Sequence, residues 1–161
     1  RRATPRFAIV WFETKRPKPI TAIQPTAPAG PRAGVHAEAL DGLGVPHLSA
    51  VDLAFELVRK NLYILSANLG GLATGAPTVG ALLEEDSFEV LVEEVLTLQA
   101  ALLGAPLDRP RLRAALREDF LADSGHGARG RSAPARLSRA LAQAAERGLP
   151  LPALEALAPA G

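Results

Sequence analysis

The sequence predicts a mainly α protein, two short N-terminal strands followed by about five helices. Three observations carry this. From Gly34 onward, apolar residues recur at spacings of three and four, clearest in Phe88, Leu91, Val95, Leu98 and Leu102. The helical stretches are punctuated by capping residues and glycines, as at Asp108, Ser132, Gly104 and Gly148. Branched and aromatic β-favouring runs are confined to the first fifth of the chain.

In order, Phe7-Ala-Ile-Val-Trp-Phe-Glu13 and Ile20-Thr-Ala-Ile-Gln24 read as strands, separated by the charged, proline-bearing turn Lys15-Arg-Pro-Lys-Pro19. Two strands alone are marginal in water, so a hairpin here needs another surface. Pro25 to Pro31 reads as a linker-like loop, and Val35 to Leu43 as a short helix closed by Gly44. Val45-Pro-His-Leu48 is extended, and Ser49 or Asp52 can cap a long helix that carries Lys60 and ends with Asn68 ahead of Gly70. Pro77 breaks the glycine-bearing stretch that follows. A helix then starts near Asp86-Ser87, places Glu89, Glu93 and Glu94 on a solvated face off the apolar stripe, and stops at Gly104. Asp108 caps a helix reaching Ala122, with Pro110 near its start. A polar loop, Asp123 to Ser132, leads to a helix capped by Ser132, with Pro134 in its first turn and Gly148 at its end. Leu149-Pro-Leu-Pro152 is extended, and Ala153 to Ala158 gives a last helical turn or two.

Composition bounds the function. The 161 residues suit one domain or a small domain carrying part of another, and 48% apolar content is ample for a core. A net charge of +1 exerts no pull toward nucleic acid or an anionic membrane, and 4% aromatic residues argue against base-stacking platforms. No cysteine is present, which excludes disulfides and thiolate chemistry. The uncharged run from Asn61 to Leu83 is long enough to span a bilayer, but two asparagines, its glycines and Pro77 mark it as protein interior. Histidines 36, 47 and 126 lack metal-ligand spacing, so no metal is expected. The first residues lack the apolar core of a secretory signal, which points to the cytoplasm. With no methionine anywhere, a processed, trimmed or partial chain is expected.

Two constellations stand out. Lys60 is one of three lysines among 18 basic residues and precedes a run without charge up to Glu84. Such a lysine snorkels, pairs with an acid such as Glu56 at i−4, or serves a site. Asn68 lies about 12 Å further along the same helix, rotated by about 80°, so an ammonium and an amide could flank one groove. The second is His126-Gly-Ala-Arg129-Gly-Arg131-Ser132, where two guanidiniums beside a helix start could cradle an anion, such as a phosphate or carboxylate. The alternative is a solvated, mobile loop. The glycines at 70, 71, 75 and 80 follow a helix rather than a strand, and so read as helix termination and close packing rather than a phosphate loop.

With these residues in place, the chain resembles the C-terminal part of the ketopantoate reductase family. Ile20-Thr-Ala-Ile resembles the last strands of the family's nucleotide-binding domain, Gly44-Val-Pro-His-Leu its link to the long helix, and Glu146-Arg-Gly-Leu-Pro-Leu-Pro152 its closing segment. Lys60 and Asn68 match the family's lysine and downstream asparagine at the same separation. The resemblance implies a remnant of a Rossmann-like domain over 1–48 and a helical substrate-binding and dimerisation domain over 49–161, akin to the C-terminal domain of 6-phosphogluconate dehydrogenase. It implies an NADPH-dependent reduction of a small 2-oxo acid, with Lys60 as general acid and Asn68 as substrate ligand, in a homodimer. Asn61 and Ser132 enter as further substrate-binding candidates: Ile64 stands at the family's second asparagine with Asn61 nearby, and Ser132 stands where the family carries a glutamate. Arg129 and Arg131 remain weak anion or cofactor candidates. The dinucleotide loop and its strand are expected in a longer parent protein, leaving this chain inactive alone. The competing reading is a non-catalytic helical module for oligomerisation or interaction.

Overall fold

The computed structural model describes residues 7–9, 12–13, 21–22, 27–29, 33–44 and 53–158. The protein is mainly α, with seven helices among the described residues against the five or so expected. The expected turn over 15–19, the extended link over 45–48 and both proposed caps of the long helix, Ser49 and Asp52, lie outside the described residues.

The backbone forms two compact units, Arg1–Lys60 and Asn61–Gly161. In the first, β2 (Phe12–Glu13) pairs antiparallel with β3 (Thr21–Ala22), in the two runs where strands were expected. However, β1 (Phe7–Ile9) pairs with β4 (Ala27–Ala29), inside the stretch expected to be a linker. Pro28 has no N–H to donate, yet sits in this ladder opposite Ala8, as a proline can on a sheet edge. The helix α1 (Ala33–Gly42) follows, and Gly44 beyond it takes φ +65°, the left-handed turn that ends a helix at a glycine.

The helix α2 (Leu53–Thr74) runs past Asn68 and through Gly70-Gly71, so Asn68 is not its end. Termination falls to Gly75, at φ +74°, with Thr74 Oγ1 donating to the Gly70 carbonyl at 3.1 Å and accepting from Ala76 N at 3.0 Å. The physical reason is packing. A side chain at Gly70 would start 2.9 Å from the Phe88 ring and 3.0 Å from Leu82, so the bare backbone is what lets α2 close on its neighbours.

The second unit packs around that half of α2. A short helix α3 (Val79–Leu82), absent from the sequence reading, follows Pro77, with Thr78 Oγ1 accepting from Ala81 N at 3.3 Å. Next come α4 (Phe88–Leu103), α5 (Arg109–Ala122), α6 (Ala133–Ala145) and α7 (Pro152–Glu155). Phe88, Leu91, Val95 and Leu98 of the α4 stripe are buried, Leu102 is half-buried, and Gly104 ends the helix at φ +69°. Asp108 caps α5 by accepting from Arg111 N at 3.1 Å. Tyr63 meets Phe120 edge-on at 5.2 Å, and Phe120 stacks on Phe88 at 5.8 Å, tying α2, α5 and α4 into one core. Among the described residues no helix is long and apolar enough to cross a membrane.

Three α4 glutamates expected to lie on a solvated face make specific contacts. Glu93 accepts from Arg109 Nη1 at 2.6 Å and from Arg113 Nε at 2.8 Å, and Glu89 accepts from Arg113 Nη1 at 2.8 Å. Glu94 reaches the start of α7, accepting from Ala153 N at 2.8 Å and Leu154 N at 2.9 Å. Its carboxylate thus satisfies two backbone donors that a helix start leaves open, which seats the buried Leu151 and Leu154 on the core.

Candidate functional site

The loop between α5 and α6 lies across α2 and α3 as a strap. Its backbone pairs antiparallel with the segment before α3, through the bridge Thr78–Gly127. Gly80 N donates to Ser124 O at 3.0 Å, Val79 N to His126 O at 2.8 Å, and Ala128 N to Pro77 O at 3.1 Å. Ala128 is fully buried. The loop is solvent-exposed over most of its length as expected, but its backbone finds partners on 77–80 and its Ala128 is buried. Glycines make the bed. A side chain at Gly71 would meet Ala128 C at 2.9 Å, and one at Gly80 would meet Ser124 O at 2.8 Å. Close packing was a correct reading of these glycines, but helix termination belongs to Gly75 alone.

His126, on the strap, places its ring 6.3 Å from that of Tyr63, and Nδ1 lies 3.5 Å from the Asp123 carboxylate. It is the outer member of the aromatic chain that continues through Tyr63 to Phe120 and Phe88. Among the described residues no group of three or more acids or histidines is placed to hold a metal ion.

Asn68 is the residue on which helix and strap meet. Its Nδ2 donates to the Ile64 carbonyl one turn back at 2.8 Å, and its Oδ1 accepts from Gly130 N at 3.2 Å. Gly130 stands between Arg129 and Arg131, so Asn68 and the arginine-bearing segment are brought together. Both arginines are exposed, and the Arg129 Cβ lies over Gly71, three residues beyond Asn68 on α2. Ser132 is exposed at the N-cap of α6, where its Oγ accepts from Arg136 Nε at 3.1 Å and makes no side-chain cap hydrogen bond. Asn61 makes a different contact, its Nδ2 lying 3.4 Å from Gln99 Oε1 on α4. Gln99 is buried, and its Nε2 has no hydrogen-bond partner among the described residues. The same holds for the Oγ of fully buried Ser66. Neither polar core position was singled out in the sequence, where each reads as one polar residue inside an apolar helix.

Lys60 belongs to the first unit, at its last position on α2. It is half-buried, and desolvation by burial holds its ammonium below the ordinary 10.5. Glu56, the acid considered as its partner, has Arg59 Nη1 at 3.6 Å from its carboxylate.

Among the described residues, neither glycine-bearing stretch fits a dinucleotide loop. Gly70 and Gly71 lie within a helix, their close approaches filled by Phe88, Leu82 and the strap. Gly125-His-Gly-Ala-Arg-Gly130 does spell the G-x-G-x-x-G pattern, a match the sequence reading passed over. It follows the helix α5 instead of a strand, and Gly127 and Gly130 are engaged with Thr78 and Asn68. The pattern therefore lacks the strand-to-helix turn that presents free amides to a pyrophosphate. No protein-family model and no curated protein matches the chain.

Proposed function

We propose that this chain supplies the substrate side of a two-domain reductase acting on a small 2-oxo acid, of the kind the ketopantoate reductase resemblance suggests. The finer fold, a helical domain like that of 6-phosphogluconate dehydrogenase behind a remnant of a nucleotide-binding domain, belongs to the same proposal. So do NADPH as reductant, a homodimer and a cytoplasmic location. Reduction at C2 would be the work of a dinucleotide held elsewhere in a longer polypeptide. This chain contributes a proton and a hold on the substrate.

The observation that carries the reading is Lys60. A lysine whose ammonium is destabilised by burial gives up a proton more readily than one in water, which suits a general acid delivering a proton to an oxygen that gains charge. The proton would leave Nζ for the C2 oxygen, and the neutral amine would be recharged from solvent. Asn68 then serves as a neutral hydrogen-bonding ligand, with Asn61, Ser132 and the two strap arginines as outer candidates.

The test is turnover of 2-oxo acids with NADPH by the full-length protein, compared with its Lys60→Ala variant. Loss of an acid is expected to lower kcat by about 10²–10⁴-fold with the helical circular dichroism unchanged. Activity should also fall as pH rises through the Lys60 pKa, at a pH below 10.5, because the acid must be charged to act. Unchanged turnover in the variant would remove the proposed role. The competing module reading draws on exposed Val90, Leu103 and Leu121. Single exposed apolar side chains are ordinary on protein surfaces, so they favour it little.

A further inference from the structure

The Asn68 carboxamide is held in one orientation by two backbone groups of opposite kind. The Ile64 carbonyl can only accept, so it fixes the end of the amide bearing Nδ2, at 2.8 Å. The Gly130 N–H can only donate, so it fixes the oxygen end, at 3.2 Å. The usual freedom of an asparagine to turn end for end is removed, since either flip sets two like groups against each other. Gly130 also crowds the oxygen end, where an added Cβ would lie only 2.9 Å from Oδ1. The half-buried side chain keeps a second N–H on Nδ2 that the Ile64 contact does not use.

We infer that Gly130 is a positioning residue that makes Asn68 a dedicated hydrogen-bond donor, so that this position recognises ligand groups rich in acceptors: the carboxylate or keto oxygen of a 2-oxo acid. The identity of the ligand rests on the function proposed above; the orientation of Asn68 does not. An asparagine free to flip would serve donors and acceptors alike. This one is set before any ligand arrives, and the cost of ordering it is met within the fold. The absence of a side chain at residue 130 is then a requirement of recognition as well as of strap packing.

The test uses nuclear magnetic resonance on the protein, with the Asn68 side-chain amide assigned by its loss in Asn68→Ala and with 2-oxobutanoate as probe. In the wild type, the two Nδ2 protons should exchange with solvent at unequal rates, one held on Ile64 and one open, and the probe should shift the open one. Asn68→Asp keeps an acceptor for Gly130 but presents a carboxylate to the ligand. The Gly130 amide should stay protected while probe affinity falls by about tenfold or more, the size of one lost hydrogen bond to a charged group. Gly130→Ala should equalise the two proton exchange rates and weaken the probe to a similar degree, with the fold intact by the dispersion of its other amides. Retained probe affinity in Asn68→Asp with a protected Gly130 amide overturns the inference. If the probe does not bind the wild type, the proposed function fails. The inference then stands on the two exchange rates alone: unequal in the wild type and equal in Gly130→Ala uphold it, while equal rates in the wild type overturn it.

Discussion

Gly71→Ala sets two effects of known size against each other. Position 71 is inside α2, where alanine is favoured over glycine by about 1 kcal/mol. Against this stands the strap. The added methyl would sit 2.9 Å from Ala128 C and 3.0 Å from Ala128 O, backbone atoms with no rotamer to change. Restoring an ordinary separation of about 3.5 Å requires the strap to rise by about 0.6 Å. The hydrogen bond from Ala128 N to Pro77 O, now 3.1 Å, and that from Gly130 N to Asn68 Oδ1, now 3.2 Å, would both stretch beyond useful length. At about 1 kcal/mol net each, they outweigh the gain in helix propensity, for a net loss of about 1 kcal/mol. Thermal unfolding followed by circular dichroism measures this directly, with a Tm lower by about 2–4 °C expected for a chain of this size. Amide exchange at Ala128 should quicken at the same time. A variant as stable as the wild type, or more stable, would refute the account of the strap as an element seated on bare helix backbone.

The other predictions concern the α4 carboxylates. Glu94→Ala removes both acceptors from the start of α7 and should cost about 2 kcal/mol, between a lost cap and a lost pair of charge-assisted bonds. Faster amide exchange is expected at Ala153 and Leu154, and a loss below about 0.5 kcal/mol would mean the contact does little. For Glu93, burial pushes the carboxyl pKa upward, but the Arg113 and Arg109 hydrogen bonds and charges outweigh it and hold it below 4.5. Its stabilising contribution is therefore present above 4.5 and is lost as pH falls through the lowered folded-state value. Since the side chain is 40% exposed, the effect should be at most about 1 kcal/mol. Urea midpoints of Glu93→Gln should run closer to the wild type in acid than at neutrality, and a constant gap would contradict the pairing.

Much of the helical layout was legible in the chain. Periodicity placed α4, glycines with left-handed backbone marked the ends at 44, 104 and 148, and Asp108 announced α5. These features depend on residues within a turn or two of each other, so local sequence carries them. The misreadings share one cause. Gly70-Gly71 was expected to lie past a helix end because glycine weakens a helix locally, but contacts with Phe88, Leu82 and the strap reverse that preference. Ser132 stands at the N-cap of α6 as expected, yet its hydroxyl accepts from Arg136 and makes no cap hydrogen bond. Glu94 serves backbone donors 59 and 60 residues distant, and no local pattern marks them.

The same division runs through the candidate site. The sequence by itself determined that Lys60 and Asn68 share a helix, and that two arginines flank a glycine before α6, because helix period and loop composition are local properties. Only the tertiary structure decided that the glycine between those arginines meets Asn68, and that the asparagine's oxygen faces it. That contact joins residues 62 positions apart through a backbone amide, a group every residue but proline possesses and no sequence pattern can point out.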